Sequence, residues 1–231
     1  MSITPIFKAS EAPTTNQRCY IAVAGNIGVG KSTLVDFLCR RYELDPYFEP
    51  NDANPYLADF YADMPRYAFH SQMYFLGMKH KLHLQIDHCE RPVLQDRTIW
   101  EDAEIFAENL YQTGVMDKRD YATYRTLYES LCAPLRAPDL LIYLTCDTKT
   151  MRRRIRQRGR EMEKNIPIDY LKRLGKLYDN WIERYDLSPI ITFHTNKLDY
   201  MSDLVHCHEL MTTIDQFIAG RRPTWEIRRW A

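Results

Sequence analysis

An α/β fold, with a parallel sheet of about five strands and helices on both faces, is predicted by three observations. Short apolar, β-prone runs alternate with longer segments of helical periodicity along most of the chain. One of those runs, Leu140 to Leu144, is apolar throughout, as a strand covered on both faces must be. The first strand leads straight into a glycine-rich turn that opens a helix.

The elements follow in order. Cys19 to Ala24 reads as the first strand. Ser32 to Tyr42 reads as a helix, with Leu34, Phe37, Leu38 and Arg41 spaced for one face. Tyr47-Phe48 ends a short second strand, and Pro65 to His88 is a long helix interrupted only by Gly77. Val93 to Gln95 is the third strand, and Asp102 to Gln112 and Lys118 to Cys132 are helices. After the fourth strand at Leu140, helices are expected at Lys149 to Gln157, Ile168 to Tyr185 and Met201 to Ile218, around a last strand at Ile190 to Phe193. The core domain is therefore residues 18–219. Residues 1–17 form a polar, Pro-containing extension, and residues 220–231 form a tail that carries Trp225, Ile227 and Trp230.

The chain has 231 residues, the size of one domain. Lys plus Arg number 31 and Asp plus Glu 31, so no global charge recruits nucleic acid or an anionic membrane. No apolar stretch approaches the roughly 20 residues of a membrane span. The N-terminus lacks the basic start and apolar block of a secretory signal. The six cysteines form no C-x-x-C pair and read as reduced thiols, so the expected compartment is the cytoplasm.

Gly25-Asn26-Ile27-Gly28-Val29-Gly30-Lys31-Ser32 matches G-x-x-x-x-G-K-[ST] at every fixed position, with a strand before it and a helix after it. The glycines let successive backbone N–H groups turn toward phosphates, and the helix N-terminus adds its partial positive charge. Lys31 is expected on the β- and γ-phosphates of a nucleoside triphosphate, and Ser32 on Mg²⁺. The fold expected is therefore that of the P-loop kinases, although the loop alone fits a GTPase or a motor as well.

The acceptor side argues for a kinase. Glu49 follows the second strand and is expected to accept a proton from a hydroxyl. The third strand leads into Asp96-Arg97, where Asp96 is a candidate metal ligand and Arg97 a candidate for the transferring phosphoryl group. Strand ends on the edge that carries the phosphate loop line the site in such sheets. The run from Arg152 to Arg160 has no interleaved aromatics, so it does not read as a nucleic-acid surface. Arg152, Arg153 and Arg156 fit a solvated helix face. Gly159 breaks the helix, which puts Arg158 and Arg160 on an Arg-rich lid that closes over the triphosphate.

These residues carry a resemblance. Gly25 through Thr33, Phe48-Glu49-Pro50, Asn54-Pro55-Tyr56-Leu57 through Tyr61, Gln72-Met73-Tyr74, Asp96-Arg97-Thr98, Asp102 to Leu110 and Arg154 to Pro167 resemble the deoxynucleoside kinases, the group of deoxycytidine, deoxyguanosine and deoxyadenosine kinases. The resemblance spans Cys19 to Phe217. Its N-P-Y and D-R-T spellings are closer to bacterial-type deoxyadenosine kinases than to the animal enzymes, which have E-R-S at the second.

The resemblance implies ATP with Mg²⁺ as donor and a deoxynucleoside as acceptor, in nucleoside salvage. It implies Glu49 as base for the 5′-hydroxyl, Arg97 beside it, Tyr61 and Glu163 on the sugar 3′-hydroxyl, Gln72 and Phe106 on the base, and Arg154, Arg158 and Arg160 as lid arginines. Lys79 lies two helical turns after Gln72 and stands where related kinases carry Arg, against the base edge with Asp102. Asp96 stands where the family has Glu. Deoxyadenosine is the expected substrate, ahead of deoxyguanosine, with deoxycytidine weaker. A thymidylate-type monophosphate kinase would need a further cationic site near Glu49, and none is evident. An inactive nucleotide-binding module is opposed by the intact Lys31, Glu49, Arg97 and Arg158 set. A homodimer is implied as well, and the apolar and Arg-rich tail, together with the N-terminal extension, is expected to join two dimers into a tetramer.

Overall fold

The computed structural model describes residues 19–49, 53–160, 166–196 and 204–218. Five parallel strands form one sheet in the order β2-β3-β1-β4-β5. They are β1 (Tyr20–Gly25), β2 (Asp45–Tyr47), β3 (Val93–Asp96), β4 (Leu140–Thr145) and β5 (Ile190–His194). The chain leaves β1, skips one place to β2, returns beside β1 as β3, and then builds outward on the other side. This reversal of direction opens the crevice at the strands' C-terminal ends where α/β proteins bind ligands.

Successive side chains of β1 point to opposite faces. Tyr20, Ala22 and Ala24 pack with Leu76, Trp100, Tyr124 and Tyr178 on one face. Ile21 and Val23 pack with Leu34, Val35, Leu38, Leu210 and Ile214 on the other. Helices α1 (Lys31–Tyr42) and α9 (Leu204–Ile218) thus cover one face. The opposite face is covered by α3 (Met64–His88), α6 (Lys118–Cys132) and α8 (Ile168–Arg184). The remaining helices are α2 (Leu57–Ala62), α4 (Ile99–Glu101), α5 (Glu108–Gln112) and α7 (Thr148–Arg158).

Three expectations shift. The second strand stops at Tyr47, and Phe48 beyond it is 42% exposed. The helix expected from Asp102 is one turn of α4, a π-helical turn over Asp102–Ala107, and then α5. Six residues are too few for an apolar pattern to separate the α and π periods, and such turns concentrate at functional sites. Arg158 is the last residue of α7 rather than part of a loop, with Gly159 at φ 71° as its left-handed C-cap. The N-terminal extension, the C-terminal tail and the tetramer contacts expected of them lie outside the described residues. No helix among the described residues is long and apolar enough to cross a membrane.

Candidate active site

The phosphate loop joins β1 to α1, and its backbone leaves no freedom at two glycines. Gly25 has φ 145°, and a Cβ there would lie 2.6 Å from the Leu144 carbonyl oxygen. Gly28 has φ 76°, and a Cβ would lie 2.8 Å from the Met151 carbonyl. Asn26 Nδ2 donates to the Leu171 carbonyl at 2.8 Å, anchoring the loop to α8, while its Oδ1 accepts from the Ile27 N–H. Val29 is fully buried. Lys31 is buried, and its ammonium donates to the Gly25 and Asn26 carbonyls at 2.8 and 3.2 Å. Burial, with Arg97 nearby, lowers its pKa to about 8. Gly30 caps α1, and Ser32 and Thr33 are exposed in its first turn. The Ser32 hydroxyl donates to Asp96 Oδ2 at 2.6 Å, so the two candidate metal ligands meet.

The acceptor side is assembled from five elements. Arg97, just past β3, holds Glu49 with Nη1 at 3.0 and 3.2 Å from its two carboxylate oxygens. Arg97 Nη2 donates to the Gly25 carbonyl at 3.4 Å, and the guanidinium lies over the Phe106 ring, 4.4 Å from its centroid. Lys79, on the buried stripe of α3 that also carries Gln72, is 1% exposed. Its ammonium donates to Asp102 Oδ1 at 2.7 Å and to Glu49 Oε1 at 3.2 Å. Burial pushes Lys79 toward the neutral form, but Asp102 and Glu49 outweigh it and the net shift is upward. Burial pushes the Asp102 carboxyl up to about 6, with Lys79 opposing. For Arg97 the cost of burial is outweighed by Glu49 and its other anionic neighbours, so its pKa rises well above normal.

Asp102, Lys79, Glu49, Arg97 and Glu101 therefore form a chain of ion pairs that runs from the π-helical turn to the phosphate loop. Gln72 Oε1 and Asp102 Oδ2 are buried with no hydrogen-bond partner among the described residues. Tyr61 is half-buried on α2, edge-on to Phe60. Asn54 fixes the entry to α2. Its amide donates to Ser71 Oγ at 3.0 Å, and its Oδ1 accepts from the Tyr56 N–H.

The expected lid arginines Arg154, Arg158 and Arg160 are described, whereas Glu163, expected on the sugar 3′-hydroxyl, lies outside the described residues. Arg154, expected over the triphosphate, is engaged with the loop that precedes α1. Its guanidinium donates to the Val29 carbonyl at 2.8 Å, to Thr195 Oγ1 at 2.9 Å and to the Thr195 carbonyl at 2.6 Å. The Thr195 hydroxyl donates to the same Val29 oxygen at 2.8 Å. Arg154 thus braces the back of the phosphate loop, because α7 packs close enough for backbone carbonyls to satisfy its planar fork. The groove on the outer face of α7, lined by Lys149, Arg152, Arg153 and Arg156, contains none of the expected substrate residues.

Glu101, Thr195 and the anchoring role of Asn54 are not among the residues expected from the sequence. The spacing Thr98-x-x-Glu101 is a capping-box signal, and the structure contains that box. Nothing in the sequence marks Thr195.

Residues 21–219 match the family model described as deoxynucleoside kinase. The deoxyadenosine/deoxycytidine kinase of Bacillus subtilis is 40% identical over 185 residues, covering 79% of this chain and 85% of that protein. A deoxyguanosine kinase of Lactobacillus johnsonii is 34% identical over 203 residues, covering 84% and 90%. The solved structure of a deoxyadenosine kinase from M. mycoides with bound dCTP superposes with a TM-score of 0.74 at 30% identity, covering 85% of this chain and 98% of that one.

Proposed function

The chain belongs to the deoxynucleoside kinase family, and on that premise we propose that it transfers the γ-phosphate of ATP to the 5′-hydroxyl of deoxyadenosine, in purine deoxynucleoside salvage. The observation that carries this reading is the Glu49 carboxylate, held by Arg97 and Lys79 beside the phosphate loop. In the step, the 5′-oxygen attacks the γ-phosphorus, the bond from that phosphorus to the β,γ-bridging oxygen breaks, and ADP leaves. The hydroxyl proton passes to Glu49. Lys31 and Arg97 supply positive charge to the oxygens of the transferring group. Arg158 and Arg160 would add to that charge from the lid.

Ser32 and Asp96 fit a hard divalent cation. Both are oxygen donors, and Asp96 Oδ1 is buried with no hydrogen-bond partner among the described residues. These two residues would hold Mg²⁺, which when bound would neutralise charge on the donor's phosphates.

The preference for deoxyadenosine rests on two buried acceptors, Gln72 Oε1 and Asp102 Oδ2. Each suits a base edge that offers an amino group, and a site that leaves such atoms unpaired rejects a base without one. Adenine and cytosine both offer an amino group. Phe106 would stack on the ring, and Tyr61 with Glu163 would take the 3′-hydroxyl. Guanine also offers donors to the same two atoms, which with the deoxyguanosine kinase relative makes a deoxyguanosine-preferring kinase the second reading. The test is a phosphorylation assay with ATP and Mg²⁺ against the four deoxynucleosides and thymidine monophosphate. Deoxyadenosine should give the highest kcat/KM. Preference for deoxyguanosine would establish the second reading, and activity confined to the monophosphate would overturn both.

A further inference from the structure

Glu101 has no exposed surface, yet it carries a carboxyl group and lies one turn past the end of β3. Its two oxygens are fully occupied. Oε1 accepts from the Gly25 N–H at 3.2 Å and from the Tyr178 hydroxyl at 2.8 Å, and lies 3.8 Å from Arg97 Nε. Oε2 accepts from the Thr98 N–H at 2.9 Å and from the Thr98 hydroxyl at 3.4 Å. A helix cap accounts for the contacts with Thr98 only. The others reach the first glycine of the phosphate loop, the catalytic arginine and α8.

Two backbone facts give those contacts a purpose. Arg97 has φ 64°, a left-handed conformation that a non-glycine residue keeps only where its surroundings over-determine it. Glu101 fixes the residue after Arg97 by accepting the Thr98 N–H, and its Oε1 lies 3.8 Å from Arg97 Nε, an ion pair that makes no hydrogen bond. Gly25 is the second fixed point. Its carbonyl accepts from both Lys31 and Arg97, while Glu101 holds the N–H of the same residue. One buried carboxylate thus sets the register between the two cations that face the transferring phosphate.

We propose that Glu101 is a positioning residue for phosphoryl transfer, a clamp that locks Arg97 and the phosphate loop into one rigid unit. The clamp rests on the kinase reading above for its catalytic consequence. Its action is on the transition state rather than on donor binding. Removing an anion close to the triphosphate cannot weaken ATP electrostatically, whereas misplacing Arg97 and Lys31 by a fraction of an ångström slows transfer.

The test compares the full chain with Glu101→Gln, which keeps the size and removes the charge and one acceptor. Expected is a kcat lower by roughly 10- to 100-fold, with the ATP dissociation constant from calorimetry within about 2-fold of the parent or tighter. Amide hydrogen exchange at Gly25 and Thr98 should accelerate by about 10-fold or more as the clamp opens. A kcat like that of the parent, ATP affinity lost in proportion to kcat, or unchanged exchange at both amides would each overturn the clamp. Should Glu101→Gln fail to fold, Tyr178→Phe removes a single donor at constant charge. It should show the same split between kcat and ATP affinity at smaller amplitude, and an unchanged kcat there overturns the proposal too. Exchange needs no substrate, so it judges the clamp independently. Absence of turnover by the parent chain would sink the proposed function alone.

Discussion

The Lys79 ammonium, 30 positions from Glu49 in sequence, lies 3.2 Å from the Glu49 carboxylate and 2.7 Å from that of Asp102. One cation therefore links the group proposed to take the proton with the group proposed to read the base. Lys79→Met should leave the buried Asp102 without its ion-pair partner and Glu49 with Arg97 alone. It should alter the ratio of deoxyadenosine to deoxycytidine efficiency and also lower kcat by roughly 10-fold. Lys79→Arg should recover part of both, since Arg keeps the charge. A proportional loss on every substrate, measured as kcat/KM, would limit Lys79 to Glu49.

Glu49→Gln removes the proton acceptor while leaving a polar group of the same size next to Arg97. The expected loss in kcat is about 10²- to 10⁴-fold, with deoxynucleoside binding nearly intact. Steady-state kinetics with calorimetric binding checks this. A variant with the parent kcat would remove Glu49 from the mechanism.

Asp102 gives the pocket a pH dependence. Its carboxyl, raised by burial to about 6, faces Lys79, Glu49 and Arg97, with the buried hydroxyl of Tyr124 also near. As pH falls through about 6 the group takes a proton and ceases to be a pure acceptor. The kcat/KM for deoxyadenosine should fall there, and the acid limb should vanish in Asp102→Asn. The folded pKa lies above the ordinary carboxylate value, so the folded chain holds this proton more tightly than the unfolded one. Protonation of Asp102 therefore adds stability as the pH drops, and this activity loss should come without a matching fall in Tm.

Tyr61→Phe tests the sugar contact. A dideoxynucleoside has already lost the 3′-hydroxyl, so the substitution should cost it less than the 2′-deoxynucleoside. Comparing kcat/KM for the two substrates decides the point, and equal losses would assign Tyr61 another role.

Assembly is proposed as a dimer of dimers joined through the terminal segments. Light scattering at micromolar concentration should report a tetramer for the full chain and a dimer for a chain ending at Gly220. A dimeric full chain would end the tetramer idea, and a truncated chain that stays tetrameric would end the role of the C-terminal tail.

The sequence by itself determined the parallel α/β architecture and the phosphate loop, because both are written locally. Alternating periodicity sets strand and helix, and eight adjacent residues from Gly25 to Ser32 carry the whole loop motif. Glu49, Asp102 and Phe106, the residues that gather around Arg97 and Lys79, were also named from the sequence, by resemblance. Their pairing was not. The order β2-β3-β1-β4-β5 brings the strand ends together, and only then does Lys79 meet Glu49, Arg154 meet Val29 and Thr195, and Glu101 meet Gly25. A buried charge must find its counter-charge or hydrogen-bond partners within a few ångströms. Which residue supplies them is settled by packing between segments distant in sequence, and only the tertiary structure decides it.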